Sequence, residues 1–154
     1  IQTNLNATIL YVTHDQAEAT TLADKIGVLK EGRIVQIGTP EEIYENPNSI
    51  YVSQRLGSPK INILPGSLFG MNDVPTFGIR PENVSIAAGK HSAKIVSIEN
   101  LGSETVIALN FKDQEILVSI QGYYKSSINE TINFDINTEK VLNFDEKGNR
   151  IYER

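Results

Sequence analysis

The sequence contains no cysteine. Disulfides and cysteine-ligated zinc or iron–sulfur centres are therefore excluded, and a reducing compartment is allowed. No apolar run approaches the roughly 20 residues needed to span a bilayer, and the first residues lack the basic start and apolar stretch of a secretory signal. Contact with a membrane is expected to go through another protein, and the cytoplasm is the default location. A surplus of positive charge is also missing. The formal net charge is -5; residues 1–57 hold 4 basic against 7 acidic groups, and residues 58–154 hold 10 against 12. A nucleic-acid binder needs a cationic face to displace counterions from phosphates, so this balance weighs against DNA or RNA. What the chain has is 40% hydrophobic residues over 154 positions, enough to bury one core or two small ones.

Thr8 to Thr13 is a short β-branched and apolar run without alternation, the pattern of a strand buried on both faces of a parallel sheet. Its sheet neighbours are expected from sequence outside this chain. Alone it should be fragile, or should pair with another molecule. Asp15 with Glu18 has capping-box spacing, and Ala17, Ala19, Leu22, Ala23 and Ile26 follow at helical spacing, which predicts a helix over 16–24. Ile26 to Lys30 and Arg33 to Ile37, joined by Glu31-Gly32, predict a hairpin. Thr39-Pro40-Glu41-Glu42 starts a helix that Asn46-Pro47 must stop, and Ser49 to Leu56 predicts another short one.

The period changes at Gly57-Ser58-Pro59. Beyond it, Ser92 to Ile98, Thr105 to Phe111, Glu115 to Ile120, Ile132 to Ile136 and Val141 to Phe144 read as short strands separated by turn residues. The expected fold class is an α/β remnant over 1–57 followed by an all-β, OB-like barrel over 58–154, which should fold independently.

His14 follows the predicted buried strand and precedes a helix, the place where α/β sheets put ligand-contacting groups. By position alone it reads more readily as a loop histidine with local hydrogen bonds. Two segments imitate nucleotide-binding motifs. Gly89-Lys90 fails as a phosphate-binding loop, because Val84 takes the first glycine position and His91 the hydroxyl position. Val141 to Glu146 imitates a magnesium-holding strand end, but it lies on the wrong side of His14 and runs into a Lys147-Gly148-Asn149 turn. His91 reads as a surface residue in an exposed turn. Tyr123 and Tyr124 point to opposite faces if they share a strand, so at most one can serve any surface. Arg80-Pro81-Glu82 supports either a regulatory contact or a structural turn flanked by an ion pair.

Tyr11-Val12-Thr13-His14-Asp15-Gln16-Ala17-Glu18-Ala19, then Leu22-Ala23-Asp24-Lys25-Ile26, then Glu31 to Pro40 resemble the end of the nucleotide-binding domain of sugar-importer ABC ATPases, the family of the maltose-importer ATPase. Gly57-Ser58-Pro59, Asn62 with Leu64-Pro65-Gly66, Gly78 to Glu82, and Leu101 to Glu104 resemble successive landmarks of that family's C-terminal regulatory region, called a TOBE domain. The resemblance implies that His14 is the switch-loop residue that reaches the γ-phosphate of ATP in the intact protein. It implies ATP and magnesium as cofactors of that protein. The phosphate-binding loop, the Leu-Ser-Gly-Gly signature and the magnesium ligands are missing here, so this chain by itself should not bind or hydrolyse ATP. The partners implied are a second copy, the permease subunits and solute-binding protein of an importer, and an inhibitory regulatory protein. The location implied is peripheral, on the inner face of the cell membrane. Two rival readings are an OB barrel that senses a small ligand, such as an oxyanion or sugar, and a single-strand nucleic-acid binder.

Overall fold

A computed structural model describes residues 7–152. Helix α1 spans Gln16–Leu22, and the Asp15 carboxylate accepts from the backbone N–H of Ala17 and Glu18 at 2.8 and 3.2 Å. Glu18 does not reach back to the cap; its Oε2 accepts from Thr13 Oγ1 at 2.7 Å. Strands β1 (Ile26–Lys30) and β2 (Arg33–Gly38) form the expected antiparallel hairpin. Helix α2 (Pro40–Glu45) carries a complete capping box: Glu42 N–H donates to Thr39 Oγ1 at 3.1 Å and Thr39 N–H to Glu42 Oε2 at 2.9 Å. Helix α3 (Ile50–Ser53) is capped by Ser49. Ile26, Val28, Ile43, Val52 and Leu56 form a small core onto which Ala19 of α1 and its C-cap residue Ala23 pack.

Residues from 58 onward are β-structured, as expected, with strands β3 (Asn62–Pro65), β4 (Thr76–Ile79), β5 (Val84–Asn100), β6 (Glu104–Phe111), β7 (Gln114–Gln121), β8 (Thr131–Ile136), β9 (Leu142–Phe144) and β10 (Arg150–Ile151). They make two open four-stranded sheets, ordered β10-β9-β4-β3 and β7-β6-β5-β8. Leu64, Phe77 and Ile79 of the first meet Ile95, Ile107, Leu109, Ile116, Val118 and Phe134 of the second in one core. This is a small barrel-like β domain of the OB-like class, with its sheets open at the edges. Asn62 links the sheets. Its Oδ1 accepts from Leu117 N–H at 2.7 Å and its Nδ2 donates to Leu117 O at 2.8 Å.

Residues 7–13, expected to lack their sheet neighbours, join no sheet among the described residues. Other local expectations are corrected. β3 and β4 escape the sequence pattern: each has four residues, and Pro65 and Gly78 are poor strand formers. β5 begins at Val84 rather than Ser92. Its register breaks between Ile86 and His91, which both pair with Phe134 across a bulge.

Candidate functional site

His14 lies between the segment 7–13 and α1, exposed to solvent. The neighbouring polar groups are occupied locally: Asp15 caps the helix, and Asp15 N–H donates to Thr13 Oγ1 at 3.0 Å. Gln16, the first residue of α1, reaches outward. Its Oε1 accepts from the backbone N–H of Gly57 at 2.8 Å, 41 positions away in sequence.

Gly57 borders the second candidate, Arg80. The Arg80 side chain is only 4% exposed. Nη1 donates to Ser53 O at 3.0 Å and Leu56 O at 2.7 Å, and Nη2 donates to Tyr44 O at 2.9 Å. One guanidinium thus satisfies carbonyls at the C-terminal ends of both α2 and α3, where helix carbonyls lack intrahelical donors. It also stacks on the Tyr44 ring, 4.0 Å from the centroid. Burial lowers its pKa, opposed by the neighbouring Tyr44 and Glu82. The Tyr44 hydroxyl donates to Glu82 Oε1. Burial first, and then that hydrogen bond, hold the Tyr44 phenol well above the usual tyrosine range. Pro81 opens the 3-10 turn 81–83 that aims Arg80 and Glu82 at this junction. At Gly57 the backbone is left-handed, with φ +105, and a Cβ would lie 2.9 Å from Arg80 Nη1, so the guanidinium occupies the space a side chain would need.

Ile50 N–H donates to Gly148 O and Arg150 N–H to Asn48 O, both at 2.9 Å, while Ile50 packs against Ile61, Leu142 and Phe144. The helical segment and the β region therefore meet along a broad seam. A cleft of about 320 Å³ opens beside it, lined among others by Tyr44, Arg80, Glu82, Lys140 and Arg150.

The two imitations of nucleotide motifs are accounted for by their folds. Gly89-Lys90 sits in the β5 bulge, where the backbone faces Phe134. Asp145 turns the β9–β10 hairpin, its Oδ1 accepting from the N–H of Lys147 and Asn149, both at 2.9 Å. His91 departs from expectation. It belongs to β5, is 28% exposed, and packs against the rings of Phe69, Phe111 and Phe134 at centroid distances of 4.9, 5.4 and 5.5 Å. The bulge turns it onto this aromatic group, which an apparent Gly-Lys turn does not reveal. Tyr123 is exposed, whereas Tyr124 packs on the core. Among the described residues no group of three or more His, Asp or Glu side chains could hold a metal, and no helix is long and apolar enough to cross a membrane. Gln16 and Tyr44 were not singled out from sequence; Gln16 sits within the His-Asp-Gln run, but nothing marks its partner.

Comparison with known proteins places this geometry. The TOBE domain family matches residues 77–133, from β4 into β8. The chain is 34% identical to the sn-glycerol-3-phosphate import ATP-binding protein UgpC of Rhizobium meliloti, over 98% of this chain and 49% of that protein. It is also 34% identical to the protein of the same name from Psychromonas ingrahamii, over 94% and 46%. It is 33% identical to the sulfoquinovosyl glycerol transport ATP-binding protein SmoE of Agrobacterium fabrum, over 92% and 47%. The chain spans about half the length of the curated relatives it matches.

Proposed function

We propose that the chain is part of a sugar-type ABC importer ATP-binding subunit, the kind of protein its relatives are named as, and that it supplies the switch histidine and the regulatory β domain of a subunit coupling ATP hydrolysis to solute import. Residues 1–57 are read as the end of the nucleotide-binding domain and 58–154 as the regulatory domain. The solute is a sugar or a related compound, consistent with the glycerol derivatives in the relatives' names. The working assembly is a dimer on the cytoplasmic face of permease subunits, supplied by a solute-binding protein.

The observation that carries the reading is where apolar surface is left open. Ile9, Leu10, Tyr11 and Val12 are 56, 93, 60 and 75% exposed, and Leu29, Ile34 and Ile37 of the β1–β2 hairpin are 52, 58 and 62% exposed. These residues are consecutive in 9–12 or share one hairpin, whereas exposed apolar residues beyond residue 57 such as Leu101, Tyr123 and Ile128 stand singly along the chain. Apolar surface grouped as in the first case normally marks an interface. The half of the relatives that this chain does not span is a cover of the right kind. The reading offers His14 to the nucleotide site of the intact subunit, as an imidazole N–H donor toward a phosphoryl oxygen.

In the intact subunit, His14→Ala is expected to lower turnover about a hundredfold to a thousandfold, the usual effect of removing one preorganised charge-stabilising contact, with ATP affinity nearly unchanged. Turnover within about threefold of wild type, measured at saturating ATP, would withdraw the switch role.

A further inference from the structure

We propose that Arg80 and Gln16 are positioning residues that couple the β domain to the His14 segment through the backbone of Leu56-Gly57. The inference rests on the reading of His14 given above and names how that site is regulated. The path is continuous and short. Arg80, at the end of β4, donates from Nη1 to Leu56 O at 2.7 Å. The next residue, Gly57, donates its N–H to Gln16 Oε1 at 2.8 Å. Gln16 opens α1, two positions after His14.

Each link has little slack. Arg80 is buried, holds three carbonyls at once and is stacked on Tyr44, so a shift of β4 must either break these bonds or carry residues 53–57 with it. Gly57 cannot be replaced by a larger residue without meeting the guanidinium. α1 itself is a weak receiver: it has seven residues, none buried, and it docks through the partly buried Ala19 and Ala23. A short exposed helix of this kind gains little from its own packing, so a single side-chain anchor governs where its first turn lies. Displacing the β domain, for instance when a regulatory partner binds it, would be felt at Gln16 and at His14 beside it.

Amide hydrogen exchange of the 154-residue chain tests the tether directly. Gln16→Ala removes the acceptor and is expected to speed exchange in Ala19 to Ala23 by about threefold to tenfold, the loss expected for one hydrogen bond. Gln16→Glu keeps an acceptor oxygen and should restore the wild-type rate. Arg80→Lys should speed the same amides while β6 amides, the control for global folding, change less, and in a Gln16→Ala background it should add nothing further to α1. Unchanged α1 exchange in Gln16→Ala, or additive effects of the two substitutions, would overturn the proposal. The second arm measures turnover in the intact subunit. There Gln16→Ala is expected to lower kcat about threefold to tenfold with KM for ATP unchanged. If His14→Ala abolishes turnover and Gln16→Ala leaves it at the wild-type level, the coupling is wrong and the switch reading survives. If His14→Ala is inert, the switch reading fails, and with it any coupling to turnover, whatever α1 exchange shows.

Discussion

At the scale of single residues, the junction around Arg80 sets the chemistry of the molecule's seam. Tyr44 donates to Glu82 and is half-buried beneath the guanidinium, so its phenol stays protonated to higher pH in the folded chain than in the unfolded one. A raised folded-state pKa contributes stability that is fully present below the unfolded tyrosine value of about 10 and is lost as pH rises through the folded value. Thermal melts between pH 8 and 11.5 should therefore show wild-type Tm falling more steeply above pH 10 than that of Tyr44→Phe, which has no phenol to titrate; parallel curves would mean that Tyr44 ionises as freely folded as unfolded. The Arg80-Pro81-Glu82 run is visible in the sequence, but its partner Tyr44 lies 38 positions from Glu82. Nothing periodic connects the two.

At the scale of elements, local chemistry and strand geometry divide the outcome. The Thr39 capping box and the β1–β2 turn are written in adjacent residues and form as read. The β5 bulge is not, because what distinguishes it from a flexible Gly-Lys turn is the strand opposite. At Gly89 the φ is +143, and a Cβ would sit 2.2 Å from the Phe134 carbonyl oxygen and 2.8 Å from the Asp135 nitrogen. Gly89→Ala must push β5 and β8 apart or reshape the bulge, and is expected to cost at least about 2 kcal/mol. Urea unfolding gives the value; a change below about 0.5 kcal/mol would mean that the bulge yields freely.

At the scale of the whole molecule, the β domain has its own core but shares a boundary with the helical segment. Truncation to residues 58–154 keeps the core around Phe77, Ile107 and Phe134, and removes both the carbonyl acceptors of Arg80 and the packing of Ile50 on Ile61, Leu142 and Phe144. The truncated chain is expected to unfold cooperatively, with Tm lower by roughly 5 °C or more. Arg80→Met should lower the Tm of the 154-residue chain, where it strands three carbonyls, and should leave the truncated chain unchanged or more stable, since there the guanidinium has lost its carbonyl acceptors. A non-cooperative melt of residues 58–154 would place the domain boundary elsewhere.

The sequence by itself determined what neighbouring residues can decide: the helix caps, the β1–β2 hairpin, the alternating strands from 105 to 136, and the family motif around His14. Tertiary structure alone decided the joints. Arg80 meets the carbonyls of Tyr44, Ser53 and Leu56, Asn62 meets the backbone of Leu117, and Gln16 meets the amide of Gly57. In each the partner is a backbone group that every residue type can offer, so no side-chain pattern announces it. The same reason governs Thr8 to Thr13, where the residues specify a wish to be buried but a strand exists only when a second strand takes up its hydrogen bonds.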